Sequence, residues 1–238
     1  MKKEFLLVFL LVALLVLPVA HLFAYDGGAV SNGGSISGVV NFKGMAPTPK
    51  KVRITKDKKV CDKSPKTDPT LIVSGGKVVN AVVSITDIKK GKEMKAMKVT
   101  FNQNGCEYKP HVLAFTVGST VEILNPDKIL HNIHTYSKVN KPFNRAQPKF
   151  KKKLTVKFSK PEAVSVKCDV HGWMSGWFFV AGNPYYSVTK DDGAFKLTDV
   201  PPGTYNVEVW HETLGKKSQK VTVKAKQDAK VNFVLAKQ

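Results

Sequence analysis

The stretch DDGAFKLTDVPPGTYNVEVWH (residues 191–211) places two turn signals between segments in which apolar and polar residues alternate. Asp192-Gly193 predicts a tight turn from one strand into the next, and Pro202-Gly203 predicts a second turn before a long strand. The alternation in AFKLTDV and TYNVEVWH is typical of strands with one face buried and one face in solvent. This stretch therefore favours an all-β structure of short strands.

The rest of the chain beyond residue 30 follows the same pattern and shows no convincing amphipathic helix. Gly, Pro, Asn and Asp separate short runs that favour strands. Many short strands with turn signals between them predict a β-sandwich or barrel. The strand candidates upstream are SISGVVNF, VVNAVVSI, HVLAFTV, STVEILN, NIHTYS, LTVKFS, AVSVKC and WFFVAG.

The N-terminus, MKKEFLLVFLLVALLVLPVAHLFA, combines a basic start with an apolar run from Phe5 to Ala20 and the small residue Ala24. This pattern predicts a Sec-type signal peptide at residues 1–24. An uncleaved membrane anchor is the alternative, because the apolar run is only slightly shorter than a span. In both cases we expect a periplasmic or extracellular protein, in a compartment where disulfides persist.

The chain is strongly basic, with 38 Lys and Arg against 18 Asp and Glu and a formal charge of +20 over 238 residues. Lys supplies nearly all of this charge, because the only arginines are Arg53 and Arg145. Nucleic-acid binders use arginine forks and recognisable motifs, and neither is present, so no nucleic-acid partner is expected. A lysine-covered surface suits an anionic partner or a membrane surface. A basic exported protein whose charge has no single target remains the alternative.

The cysteine count is odd, which leaves one thiol over in an exported chain. The economical pairing is a Cys61–Cys106 disulfide, with Cys168 kept free because something else binds its sulfur. A different pairing with an idle buried thiol is the alternative.

The segment VKCDVHGWM places Cys168, His171 and Met174 three residues apart in turn. A copper ion that cycles between Cu(II) and Cu(I) prefers a thiolate and imidazoles as strong ligands and a thioether as a weak one. The missing imidazole must come from PDKILHNIHTYS, which contains His131 and His134. If that segment is extended, residues three apart point to opposite faces, so only one of the two histidines can face the site.

The first quoted stretch resembles the carboxypeptidase regulatory-like, or transthyretin-like, small β-sandwich. SISGVVNFKGMAP resembles the first strand and turn of that family, although it lies far upstream. The resemblance implies a discontinuous sandwich made of residues 35–88 and 183–238, with an inserted domain between them. A string of separate β-domains is the alternative.

The middle, residues 97–181, resembles the cupredoxin family on GSTVEILNPDKILHNIH and VKCDVHGWM. The resemblance implies a Greek-key β-sandwich that holds one type 1 copper ion through His131, Cys168, His171 and Met174. It selects His131 because the family ligand precedes an Asn, here Asn132, which would tie the two ligand loops together. The ligand loop departs from short-loop cupredoxins, because Asp169, Gly172 and Trp173 stand where prolines are usual.

The function expected from this resemblance is that of an exported one-electron carrier and not of an enzyme. Its expected partner is an acidic redox protein, such as a c-type cytochrome or a membrane oxidoreductase, and His171 is expected near solvent as the route for the electron. One alternative is a copper storage or delivery protein, and another is a cell-surface structural or carbohydrate-binding module. His111 and His211 are expected to play structural roles.

Overall fold

The computed structural model describes residues 25–237, so the predicted signal peptide lies outside the described residues. This part of the chain consists almost entirely of short strands, which confirms the all-β prediction. The first part contains β1 (Asp26–Gly28), β2 (Gly34–Phe42), α1 (Lys58–Cys61), β3 (Val73–Ser74), β4 (Lys77–Val78), β5 (Val82–Ile85) and β6 (Lys90–Lys92). The middle contains β7 (Lys98–Gln103), β8 (Tyr108–Lys109), β9 (Val112–Thr116), β10 (Thr120–Leu124), β11 (His131–Tyr136), β12 (Asn144–Gln147), β13 (Lys153–Lys157), β14 (Glu162–Lys167) and β15 (Ser175–Ala181). The last part contains β16 (Tyr186–Val188), β17 (Ala194–Val200), β18 (Gly203–His211), β19 (Gly215–Val223), β20 (Asp228–Lys230) and β21 (Phe233–Leu235).

Strands from the two ends of the described chain form one sandwich. β2 pairs with β17 in antiparallel fashion and with β20 and β21 in parallel, while β5 lies between β16 and β18. In β17 the alternating sequence buries Phe195 and Leu197 and leaves Lys196 between them exposed. The side chains of Ile36, Tyr185 and Phe233 meet in the same core, so residues before and after the middle region share it.

The middle region forms a second sandwich with its own core. Its sheets have the strand orders β13-β10-β7-β8 and β12-β11-β14-β15-β9. Phe178 lies at the centre, with ring centroids 4.7 Å from Phe101, 5.9 Å from Phe115 and 5.5 Å from Phe158. Such offset and edge-to-face arrangements are the favourable ones for aromatic rings. This core fixes β11, β14 and β15 side by side, which brings the start of β11 next to the β14–β15 loop.

The two sandwiches meet through a small aromatic junction. The rings of Trp177 on β15 and Trp210 on β18 lie 5.1 Å apart, and Val82 and Val112 pack against them. The indole Nε1 of Trp177 also donates a 2.7 Å hydrogen bond to the carboxylate of Glu212. The face of β15 that carries Trp177 is thereby covered by the neighbouring sandwich.

Residues 50–68, here called the cap segment, fold back over one end of the middle sandwich. Lys51 and Thr67 form an antiparallel bridge at its base, and α1 lies near its tip. Ile54 and Cys61 are buried in the core of the middle sandwich. Cys61 is cross-linked to Cys106 at the turn between β7 and β8, which is the pairing favoured by the sequence.

Within residues 25–237, no helix has the length and apolar character needed to cross a membrane.

Candidate metal centre

Three of the predicted ligands converge on one point at the rim of the middle sandwich. The Nδ1 atoms of His131 and His171 lie 3.0 Å apart. The Sγ atom of Cys168 lies 4.0 Å from the first and 3.9 Å from the second. His131 and His171 are 0% exposed and Cys168 is 2% exposed. Two imidazole nitrogens and one sulfur therefore form a compact, buried triangle of donor atoms, here called the donor triangle.

Strand pairing explains how residues so distant in sequence meet. β11 pairs with β14 so that His134 lies opposite Lys167, the residue before Cys168. His131 therefore lies level with the loop that begins at Cys168. The loop is closed by two main-chain hydrogen bonds, from the amide of Cys168 to the carbonyl of Met174 and from the amide of Met174 to the carbonyl of His171. The C-x-x-H-x-x-M spacing thus corresponds to a tight turn, which brings Cys168 and His171 to the same side of the loop.

Met174, the fourth predicted ligand, closes the loop that carries Cys168 and His171. It is 2% exposed, it belongs to the same buried cluster as Cys168, and its main chain bonds to both loop ligands. The weak fourth ligand of a His₂Cys site is commonly a thioether, which is the chemistry that Met174 offers.

The outer nitrogen of each histidine faces a carboxylate. Nε2 of His131 lies 3.0 Å from Asp127, and Nε2 of His171 lies 2.8 Å from Asp57. An ionised carboxylate only accepts hydrogen bonds, so each Nε2 donates a proton outwards and the Nδ1 atom of each ring faces the donor triangle. Two Nδ1 atoms 3.0 Å apart in a buried site can both bind a shared cation. The donor set therefore fits a metal ion of borderline or soft character.

The environment also prepares the sulfur as a thiolate. Burial alone would raise the pKa of the Cys168 thiol, but hydrogen bonds from His131 and His171 outweigh it and lower the pKa to about 6. Burial likewise acts to lower the pKa of His131, but Asp127 and the Cys168 sulfur reverse this and raise it. Because metals bind the thiolate and not the thiol, this sulfur needs little deprotonation free energy near neutral pH.

Asn132 connects β11 to the ligand loop. Its Oδ1 accepts a 2.7 Å hydrogen bond from the amide of Asp169, and its Nδ2 donates to the Asp169 carboxylate at 2.8 Å. Nδ2 of Asn144 on β12 donates to the same carboxylate at 2.7 Å. These bonds hold the residue after Cys168, so they fix the direction in which the loop leaves β14.

The three other histidines among residues 25–237 lie outside the donor triangle. His134 points to the opposite face of β11, where it is partly exposed and bonds to Asp169, as expected for residues three apart in a strand. His111 bonds to Glu212 at the junction between the sandwiches. His211 is buried, and its Nδ1 accepts hydrogen bonds from the amides of Thr213 and Leu214. All three have structural partners.

The expectation that His171 lies near solvent is wrong. Its side chain is 0% exposed because the cap segment covers it and because Asp57 occupies its outer nitrogen. The sulfurs of Cys61 and Cys106 lie within 4.8 Å of its ring nitrogen and of each other, so the cross-link anchors this cover. Sequence reasoning missed Asp57, which is 114 residues from His171 and carries no local signal. It also missed Asp127, although the position of Asp127 four residues before His131 was a local signal that could have identified it.

Comparison with known proteins gives one family match and several structural ones. Residues 180–236 match the family model of the carboxypeptidase regulatory-like domain, which confirms the resemblance of the C-terminal stretch. A search of curated proteins found no match.

The similarity to solved structures is distant. A copper-containing nitrite reductase from Thermus scotoductus SA-01 is 22% identical, over 48% of this chain and 26% of its own, with a TM-score of 0.34. The chain thus spans about a quarter of that enzyme. A purple cupredoxin from Nitrosopumilus maritimus is 22% identical, over 35% of this chain and 99% of its own, with a TM-score of 0.30. Amicyanin from Paracoccus versutus is 17% identical, over 42% of this chain and 97% of its own, with a TM-score of 0.32.

Proposed function

We propose that this chain is an exported carrier of single electrons that holds one copper ion of type 1 and has no catalytic role of its own. The observation that carries the proposal is the donor triangle, in which two imidazole Nδ1 atoms and one thiolate sulfur lie within 4.0 Å of one another in a buried site. A copper ion held by such a set supplies one-electron chemistry between Cu(II) and Cu(I).

The surrounding residues keep the donors in place whichever charge the centre carries. Asp127 and Asp57 fix the two rings, and Asn132 fixes the loop beyond the sulfur. Asp127 is itself held by the amides of Gly105 and Cys106, each at 2.7 Å. Ligands held by packing and outer hydrogen bonds keep one geometry, so little rearrangement is needed when an electron arrives or leaves. This favours a carrier.

Burial of the ligands favours a copper ion that stays bound over one that the protein stores or delivers. A copper storage or delivery site must open to exchange its cargo, whereas the donor triangle is closed by the cap segment and by a disulfide. The same disulfide supports an oxidising compartment outside the cytoplasm, in agreement with the predicted signal peptide. The strongly basic surface supports an acidic redox protein, such as a c-type cytochrome or a membrane oxidoreductase, as the partner.

The test is a spectroscopic titration of the full chain with Cu(II), followed by visible absorption and electron paramagnetic resonance. A thiolate-to-copper charge-transfer band is expected, and Cys168→Ser should abolish it. His131→Gln should abolish or shift the band, while His134→Gln is the matched control on the same strand and should leave it intact. A colourless protein that binds copper equally well with and without Cys168 would contradict the proposal. A reversal of the two histidine variants would contradict the choice of ligand.

A further inference from the structure

A surface groove lies beside the donor triangle, and it does not help to position the three donor atoms. A groove of about 640 Å³ runs between the base of the cap segment and the outer side of the ligand loop. Trp173 and Trp177 contribute its aromatic lining, and Gly172 also lines it. Its charged rim is formed by Lys50, Lys51, Arg53 and Lys167, all of which are exposed.

The four cations of this rim outnumber the two carboxylates that line the groove, Asp68 and Glu212. None of its four cationic side chains takes part in an ion pair among residues 25–237. The two acidic residues of the groove are already engaged. Asp68 accepts a hydrogen bond from the amide of Thr70, and Glu212 bonds to Trp177 and His111. The rim therefore presents four cations that have no ion-pair partner among residues 25–237, although the Lys167 ammonium lies 5.6 Å from the centre of the Tyr136 ring.

The groove also brings a partly exposed aromatic ring close to a ligand. The Trp173 ring lies 5.1 Å from the His171 ring, centroid to centroid, and its indole Nε1 donates a 3.1 Å hydrogen bond to the carbonyl of Cys106. Trp173 is partly exposed while His171 is fully covered. At the other edge, Lys167 directly precedes Cys168. A molecule seated in the groove would contact residues adjacent to two ligands without moving the cap segment.

We propose that this groove is the docking site for an acidic segment of a protein redox partner, and that electrons pass by way of Trp173 instead of an exposed edge of His171. Lysine ammonium groups act as strongly hydrated point charges, which suit the steering and loose pairing of carboxylates in a short-lived complex. The concave shape and the tryptophan wall suit a peptide segment better than a flat bilayer surface. This proposal rests on the proposed function only for its electron-transfer step.

The binding step can be measured on the copper-free full chain, so it does not depend on copper. The probe is a synthetic glutamate-rich peptide without tryptophan, and binding is followed by the protein's tryptophan fluorescence at low ionic strength. Lys51→Glu with Arg53→Glu reverses the charge of two of the four rim cations. The matched control is Lys196→Glu with Lys220→Glu, which makes the same change in net charge on exposed lysines of the other sandwich. We expect about tenfold weaker binding for the groove variant and less than about twofold for the control.

The electron-transfer step is measured on the copper-loaded, reduced chain with hexacyanoferrate(III) as oxidant. The peptide should compete and slow the reaction in the wild type, but not in the groove variant. Trp173→Leu should slow it while leaving the affinity for the peptide within about threefold, because the rim charges remain. If the chain does not bind copper, the proposed function is wrong. The peptide measurement on the copper-free chain still tests whether the groove is a docking site.

Three outcomes would overturn the groove proposal. Equal weakening of peptide binding in the groove and control variants would mean that the charge acts without a defined site. Absence of peptide binding, combined with groove-dependent binding to phosphatidylglycerol vesicles, would assign the rim to a membrane surface. An unchanged oxidation rate in Trp173→Leu would exclude this residue from the electron route.

Discussion

Removal of the Cys61–Cys106 cross-link tests whether the cap segment is held by the covalent bond or by packing. The two cysteines are 45 residues apart, and the entropy lost by the unfolded chain on closing a loop of that size corresponds to about 4 kcal/mol. Structure retained in the unfolded state reduces this figure, so we expect Cys61→Ala with Cys106→Ala to lower the free energy of unfolding by about 2 to 4 kcal/mol.

The assay is guanidinium unfolding of the copper-free chain, followed by tryptophan fluorescence. A thiol reductant should lower the stability of the wild type to that of the double variant and should leave the double variant unchanged. Cys168→Ser is the matched control, because its sulfur is free in the structure and its removal should preserve the effect of the reductant.

A second readout follows the cap segment itself. His171 is covered in the presence of the cross-link, so the exchange of its Nε2 proton, measured by nuclear magnetic resonance, should be slow in the wild type and faster in the double variant. If both the unfolding free energy and this exchange rate are unchanged, the apolar contacts of Ile54 and its neighbours hold the cap, and the assigned role of the disulfide is wrong.

Three further predictions concern other parts of the molecule. Burial lowers the pKa of His211 from 6.5 to about 4, so the unfolded state binds more protons than the folded state between these pH values. The free energy of unfolding should therefore fall by about 3 kcal/mol as the pH drops from above 6.5 to about 4. Denaturant unfolding at the two pH values should show a smaller fall for His211→Gln. A Cβ atom on Gly38 would lie 1.7 Å from a main-chain carbonyl oxygen, so Gly38→Ala should cost about 3 kcal/mol by calorimetry, whereas Gly28→Ala, with no atom within 4 Å, should cost less than about 0.5 kcal/mol. Asn132→Ala removes the acceptor of the Asp169 amide and should lower stability by about 1 kcal/mol; an unchanged hydrogen-exchange rate at that amide would contradict the role given to Asn132.

Several features of the fold could be predicted from local sequence because they depend on neighbouring residues. Alternation in AFKLTDV buries Phe195 and Leu197, and the turn chemistry of Gly193 matches its positive φ of 62°. The spacing of Cys168, His171 and Met174 sets a tight loop that its own main-chain bonds close. Local periodicity reports which face of a strand is buried, so these elements follow from the sequence without knowledge of the partner strand.

The pairing of distant segments depends on the tertiary structure, because period-two alternation does not say which strand lies next to which. The placement of β2 beside β17, across the whole middle region, is of this kind. So is the cover over His171, where Asp57 and the Cys61–Cys106 cross-link approach from a segment with no ligand motif. The sequence by itself determined a β-protein, and it predicted a copper site made of a thiol, two imidazoles and a thioether. Only the tertiary structure decided that His171 is closed to solvent and that a basic groove beside Trp173 remains open, since both depend on how the cap segment packs against the ligand loop.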